Sequence, residues 1–357
     1  MKLNQRVAAF AKLGIYLHQL ASNEKNDTDF RELNELYYSQ AQQLFASVKL
    51  QNGWFTETNV RNSILAIAEM LQEKHLVKWV SNYPLSESSP SKRIGIVMAG
   101  NIPLVGFHDF LSVVISGNCA VMKLSSDDAL LLPLVVKILS SIEPGFMSQV
   151  DFSVGGLKNI DAVIATGSGN TARYFEYYFS KMPSLIRKNR NSLAVLDGNE
   201  KPEELTKLGD DIFSYFGLGC RNVSKLFIPQ GYDLDRFFKA IYSYSELINH
   251  NKYANNFDYN RAVYLMGKDK EGLLENGFLF LVKSNEYASP VAVLFYEYYD
   301  SAEQLNRQFE TDREKIQCIV SNSALIKNCI PLGSSQRPQL WEYADNVDTL
   351  QFLVTLK

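Results

Sequence analysis

From residue 7 to about residue 80 the apolar positions recur every three to four residues. VAAFAKLGIYLHQL (7–20) and SILAIAEMLQEKHLVKWV (63–80) both carry this spacing, so this part of the chain reads as helices. Between them, residues 51–59 contain Asn52-Gly53 and read as a loop. A Ser/Pro-rich connector, SNYPLSESSPSKR (81–93), follows. The pattern then changes. RIGIVMAG reads as a buried strand, IPLVGFHDFLSVVIS as a helix, CAVMKL as a strand and ALLLPLVVKILSSI as a helix. DAVIAT, TARYFEYYFSKM and NSLAVLD continue as strand, helix and strand. Strands alternating with helices predict parallel βαβ units with right-handed crossovers. After Asp197 the rhythm restarts: EELTKLGDDIFSYF is helical, KLFIP a strand and DLDRFFKAIYSYSELI helical, and RAVYLMG, LFLVKS and VAVLFYEY read as strands. This places a first domain at 1–197 and a second at 198–335, with 336–357 returning to the first domain or to an interface.

Composition narrows the function. At 46% hydrophobic and 21% charged, the chain is ordinary for a globular protein. The net charge is −3 and no basic stripe is present, which argues against nucleic acid as a partner. Arg187-Lys188-Asn189-Arg190 is the one local candidate for binding a polyanion. Polar residues interrupt the N-terminal helix, so it does not read as a signal peptide. No apolar run is long enough to predict a membrane span. The four cysteines, Cys119, Cys220, Cys318 and Cys329, are far apart and no Cys-x-x-Cys pair occurs. The expectation is a reduced, cytoplasmic protein with no metal site.

Two segments carry candidate chemistry. ATGSGNTARYF holds Gly167-x-Gly169-x-x-Ala172 between a strand and a helix. This is either a phosphate-binding fingerprint, for which the helix N-terminus is suited, or a plain tight turn. FGLGCRNVSKLFIP (216–229) sets Cys220 just after Gly217 and Gly219, with Arg221 and Lys225 following. A free cysteine is by default a buried apolar residue, and Cys119, Cys318 and Cys329 fit that description. At Cys220 the glycines allow close approach. The two cations, if turned inward, would lower the thiol pKa from about 8.5. His108, within an apolar helix, reads as a satisfied core histidine, with a catalytic role as the alternative. Tyr174, Phe175, Tyr177, Tyr178 and Phe179 read as a helix face packed into the core, with an acyl pocket as the alternative.

Over roughly residues 90–335 these segments resemble the aldehyde dehydrogenase superfamily, and within it the acyl-CoA reductases that make fatty aldehyde for bacterial luminescence. MAGNIPL (98–104) looks like the family's Pro-Trp-Asn-Phe-Pro segment, VISGNCAVMKLSS like its Lys-Pro-Ser-Glu strand, FGLGCRNVSKLFIP like its nucleophile segment, and EYASPVAVLFYE like its Glu-x-Phe-Gly-Pro-Val turn. The resemblance implies an α/β fold of two α/β domains, a Rossmann-like cofactor domain and a catalytic domain, with an N-terminal helical segment. It implies Cys220 as nucleophile and Asn101 as the donor to the oxyanion. Lys123 and Ser126 would lie at the adenosine ribose, Gly167 and Ser168 at the nicotinamide or pyrophosphate, and Glu286 at the nicotinamide ribose. Ser126 stands where the family carries a glutamate that repels a 2′-phosphate. NADPH is therefore the expected cofactor, with NADH the other option, although Asp127 and Asp128 follow directly. The water-activating glutamate of hydrolytic family members falls on Val195, and Asp197, two positions on, is a substitute to consider.

The implied reaction is reduction of an acyl-CoA, fatty acyl by the resemblance, to the aldehyde through a thioester on Cys220. Alternatives are a CoA-acylating aldehyde dehydrogenase, an acyl-phosphate reductase, a cysteine acyltransferase and a scaffold without turnover. The expected partners are a second copy of the chain, with the connector 81–93 as a shortened oligomerisation arm, and an enzyme that activates or transfers the acyl group.

Overall fold

The computed structural model describes residues 1–85, 90–167, 169–267 and 272–356. The chain divides into two compact units, Met1–Asn189 with Pro338–Lys357, and Arg190–Arg337.

The first unit begins with helices α1 (Leu3–Ser22), α2 (Ser39–Ser47), α3 (Glu57–Met70) and α4 (Glu73–Val80). In α1 the buried residues Val7, Phe10, Gly14, Leu17 and Ala21 are spaced three or four apart, which is the stripe the sequence shows. Thr56 caps α3 by accepting the Asn59 N–H at 3.2 Å. A sheet follows, built from β1 (Arg93–Val97), β2 (Cys119–Lys123), β3 (Val150–Phe152), β4 (Ala162–Thr166) and β5 (Ser184–Arg187). Helices α5 (Phe107–Ile115), α6 (Leu131–Ile142) and α7 (Gly169–Tyr178) follow β1, β2 and β4, and a loop joins β3 to β4. The sheet order is β3-β2-β1-β4-β5 and every pairing is parallel. The strand order therefore reverses direction at β1 and β4, the place where open α/β sheets present their ligand crevice. His108 is a core residue: its Nε2 lies 2.9 Å from the Leu340 carbonyl, and burial pushes its pKa down. Arg187 is likewise structural. It is buried in an ion pair with Asp109 at 2.7 Å and donates to Thr349 Oγ1, so it is not offered to a polyanion.

The second unit contains β6 (Asn191–Val195), α8 (Pro202–Phe213), β7 (Val223–Pro229), α9 (Leu234–Ala240), α10 (Asn251–Met266), β8 (Leu274–Glu275), β9 (Phe280–Lys283), β10 (Val293–Tyr299), α11 (Ala302–Thr311) and β11 (Ile316–Val320). The helix α12 (Thr349–Thr355) belongs to the first unit. The second sheet has the order β11-β6-β7-β10-β9-β8 and is parallel except for β8 against β9. Alternation along β6 and β7 feeds two cores. Ala194, Leu196, Leu226 and Ile228 enter one, and Leu193, Val195 and Phe227 enter the other.

Three expectations are corrected. NSLAVLD is a strand, but β6 is an inner strand of the second sheet, so the division falls before Arg190 and not near Asp197. RAVYLMG is no strand; it is the last part of α10, whose buried residues Tyr253, Phe257 and Asn260 follow helical spacing. Residues 262–266 form an apolar run too short to distinguish the two periods, and Val263, Leu265 and Met266 are exposed. Finally, α7 buries only Ala172, while Tyr174, Tyr177 and Tyr178 stand in solvent instead of packing the core. Asn170, Arg173, Tyr174 and Tyr177 line an open recess of about 440 Å³ on this face.

Candidate active site

In the first unit, three of the sequence candidates stand at the C-terminal edge of the sheet, around the reversal of strand order. Lys123 ends β2 and is exposed; its register partner is Val97, the last residue of β1. Val97 pairs on its other side with Ala165 of β4, and Gly167 lies two residues beyond. Asn101 lies four residues beyond Val97 and is exposed. A Cβ at Gly167 would sit 3.0 Å from both Thr171 and Phe175, so the first two turns of α7 pack directly on the glycine. Ser126 is exposed in the turn after β2, and its carbonyl accepts from Gln51 Nε2 at 2.6 Å. Ser168 lies outside the described residues. Of the two acids after Ser126, Asp128 is turned inward, where its Oδ2 accepts the Leu104 N–H at 2.7 Å; only Asp127 remains exposed.

In the second unit, Cys220 is exposed and lies between α8 and β7. The turn leading to it is unusual. Tyr215, Phe216 and Gly217 have φ of 52°, 59° and 77°, three successive left-handed residues of which only one is glycine. Such conformations persist where the surroundings over-determine them. Here Phe216 is held against the His250 ring, with centroids 4.4 Å apart. Asn222 does the rest. It is buried, its Nδ2 donates to the carbonyls of Asp211, Ile212 and Ser214, and its Oδ1 accepts the Gly219 N–H at 2.8 Å. One amide thus ties the end of α8 to the residue before Cys220. On the other side of the turn, Ser192 Oγ donates to the Cys220 carbonyl at 2.9 Å. Asp211, fully buried, accepts the N–H groups of Gly333 and Ser335, and the Ser335 carbonyl in turn accepts from Arg221 Nε.

Both cations near Cys220 have partners elsewhere in the unit. Arg221 braces the Ser335 loop. Lys225 is fully buried on the face of β7 that carries Phe227, and it is paired with Glu297 at 2.5 Å. Burial lowers the Lys225 pKa, and Glu297 opposes the shift. Glu286 is exposed in the loop between β9 and β10, with its N–H donating to Ser284 Oγ at 3.1 Å. Ser224, four residues after Cys220, bonds the carbonyl of Tyr287 at 2.7 Å, so the cysteine strand and the Glu286 loop are tied together.

Solved structures of similar fold include aldehyde dehydrogenase 21 of Physcomitrella patens, crystallised with its reaction product succinate (14% identity, TM-score 0.63, 91% of this chain and 74% of that one). They also include the aldehyde dehydrogenase KauB of Pseudomonas aeruginosa (12%, 0.61, 91% and 73%) and the indole-3-acetaldehyde dehydrogenase AldA of P. syringae, solved with NAD+ (12%, 0.59, 91% and 74%). This is the aldehyde dehydrogenase fold. No family model matches the chain, and no curated protein matches it in sequence.

Within the aldehyde dehydrogenase fold, this chain carries an apolar side chain at Val195, the position that the sequence resemblance assigns to a water-activating acid. Val195 is 1% exposed and packs in the core with Leu193 and Phe227. Asp197 does not replace it on the strand. It lies past the end of β6, where its Oδ1 accepts the Asn199 N–H and its own N–H donates to Glu200. Sequence reasoning missed Asn222 and Asp128. The first had one visible signal, an amide side chain two residues after the cysteine of a glycine-rich turn; the partner of the second is 24 residues away. No helix among the described residues is long and apolar enough to cross a membrane.

Proposed function

We propose that the protein reduces an acyl-CoA, fatty acyl by sequence resemblance, to the corresponding aldehyde with NADPH, through a thioester on Cys220. The observation that carries this reading is the exposed Cys220 thiol on a turn held in three left-handed residues by the buried Asn222 amide. A thiol so mounted is both accessible and fixed, as covalent catalysis requires.

Cys220, as thiolate, bonds to the acyl carbon, the bond from that carbon to the CoA sulfur breaks, and CoA leaves as its thiolate. Asn101 and the Cys220 N–H donate to the oxygen that carries negative charge during this exchange. One such donor contributes about 3 kcal/mol to a transition state. NADPH, when bound, supplies the two electrons and hydrogen that turn the acyl group into an aldehyde. Cys220 then departs as thiolate, ready for another cycle. Lys123 and Ser126 would hold the adenosine ribose, Gly167 and Ser168 the pyrophosphate or nicotinamide, and Glu286 the nicotinamide ribose. The residues suit that cofactor. Gly167 leaves no room for a side chain beneath α7, Lys123 offers an exposed cation at a strand end, and Asp128 is buried with its carboxylate on the Leu104 amide. Val195 supplies no base to activate water, which favours retention of the thioester until it is reduced. With an aldehyde, CoA and the oxidised cofactor the same residues would run the reaction in reverse, as a CoA-acylating dehydrogenase.

The test is NADPH oxidation with a series of acyl-CoA and acyl-phosphate donors, with the aldehyde trapped and identified. Aldehyde formed from acyl-CoA in proportion to NADPH consumed, and lost in Cys220→Ala, is the expected result. Turnover with acyl phosphate alone would reassign the leaving group. Acyl transfer to a second nucleophile without NADPH consumption would make the protein an acyltransferase.

A further inference from the structure

The loop that carries Asn101 is clamped by side chains remote in sequence. Leaving β1, the Met98 N–H bonds the Lys123 carbonyl at 3.0 Å. Gly100 lies so close to the turn after β2 that a Cβ there would stand 2.6 Å from Ser125 Oγ, and its carbonyl accepts from Asn52 Nδ2 at 3.5 Å. The Pro103 carbonyl accepts from Ser63 Oγ at 2.7 Å. Leu104 is left-handed, with φ of 57°, and its N–H donates to Asp128 Oδ2 at 2.7 Å. Asn101 stays exposed between these fixed points.

Asp128 is the costly member of the clamp. It is 7% exposed, and its other oxygen, Oδ1, is buried with no hydrogen-bond partner among the described residues. Burial pushes its pKa up to about 6, and only the Leu104 amide pulls the other way. A buried carboxylate with one hydrogen bond and one unmet oxygen is poor material for a stable core. What it supplies is a short acceptor directed at the amide of a left-handed residue, which an apolar side chain of the same size cannot supply.

We infer that Asp128 is a positioning residue for Asn101, its carboxylate holding the loop so that the Asn101 amide meets the developing oxyanion. This rests on the reading of Asn101 given under Proposed function. Asp128 touches neither substrate nor cofactor in this account and acts only through residues 101–104.

The experiment is single-turnover acylation of Cys220 in the full chain by a long-chain acyl-CoA, followed by intact mass. Cys220 alkylation by iodoacetamide serves as a control that needs no oxyanion donor. Four variants are compared: Asn101→Ala, Asp128→Ala, Asp128→Leu and Asp128→Asn. Asn101→Ala slows acylation by about a hundredfold. Asp128→Ala slows it by about tenfold or more, with the half-saturating acyl-CoA concentration and the alkylation rate both unchanged, because a misplaced donor weakens the transition state rather than binding. Asp128→Asn, whose amide oxygen can still accept from Leu104, restores the rate to within about threefold of wild type. Asp128→Leu fills the space without an acceptor and repeats the alanine result even if the alanine variant fails to fold. Normal acylation in both Asp128→Ala and Asp128→Leu, with Asn101→Ala slow, would overturn the inference and leave the proposed function standing. Equal loss of acylation and alkylation would overturn it as well, by showing a general structural role. Normal acylation in Asn101→Ala would remove the oxyanion reading itself, and the inference with it.

Discussion

Replacing Asn222 by alanine removes a side chain that joins the end of α8 directly to the Cys220 turn. Its Nδ2 lies 3.1, 3.4 and 2.9 Å from the carbonyls of Asp211, Ile212 and Ser214, and its Oδ1 lies 2.8 Å from the Gly219 nitrogen. Two amide protons serve the three carbonyls, so about three full hydrogen bonds are lost. At about 1 kcal/mol net each, the turn loses about 3 kcal/mol, with more to come from any carbonyl left buried and unmet. Three kcal/mol corresponds to roughly a hundredfold rise in local opening. Hydrogen exchange of peptides covering 214–222 should therefore accelerate by about that factor, while α11 keeps its protection. Asn222→Asp is the sharper variant. It keeps an acceptor for Gly219 but sets a carboxylate against three carbonyl oxygens, so it should open the turn at least as far as alanine does. If both variants exchange like wild type over 214–222, Asn222 does not hold the turn, and the account of how Cys220 is mounted fails.

Asp128→Asn should flatten the pH dependence of stability. A carboxyl raised from 3.8 to about 6 by burial stabilises the fold when protonated. That contribution is complete below about pH 3.8 and is lost as pH rises to about 6, amounting to about 3 kcal/mol. Tryptophan fluorescence in urea reads it directly, since Trp54, Trp79 and Trp341 all belong to the first unit; a variant with the wild-type pH profile would contradict the assignment. The buried pair in the second sheet should be asymmetric. Lys225 is fully buried while the Glu297 side chain is 33% exposed. Glu297→Gln strands a buried charge and should cost about 3–5 kcal/mol, whereas Lys225→Met leaves a carboxylate that can reach water and should cost less. Urea unfolding followed by circular dichroism ranks the two, and the opposite order would refute this reading.

The sequence patterns were most legible where burial is two-sided. β1, β2, β4, β6, β7 and β10 are inner strands and read as continuous apolar runs. The strands that sequence reading passed over, β3, β5, β8 and β11, are the four sheet edges. β3, β5 and β8 are short, and β3 and β8 are largely exposed, so the pattern has little burial to report; in β11 Gln317 and Cys318 interrupt the apolar run. The division between the units was misplaced for a related reason: β6 continues the βαβ rhythm in sequence but joins the other sheet in space. Cys220 could be singled out as a candidate from its residue type and its glycines. Asn222 and Asp128 could not be weighted, because what distinguishes them is their partners: the end of a helix for one, and a left-handed amide 24 residues away for the other.

The central claim is a thioester on Cys220 that NADPH clears. Intact mass after mixing the protein with a long-chain acyl-CoA, first without and then with NADPH, tests it most directly, with Cys220→Ala alongside. The account predicts one acyl adduct on the wild type, none on Cys220→Ala, and loss of the adduct with matching aldehyde once NADPH is added. An adduct that persists in Cys220→Ala, or one that NADPH leaves in place, would contradict it.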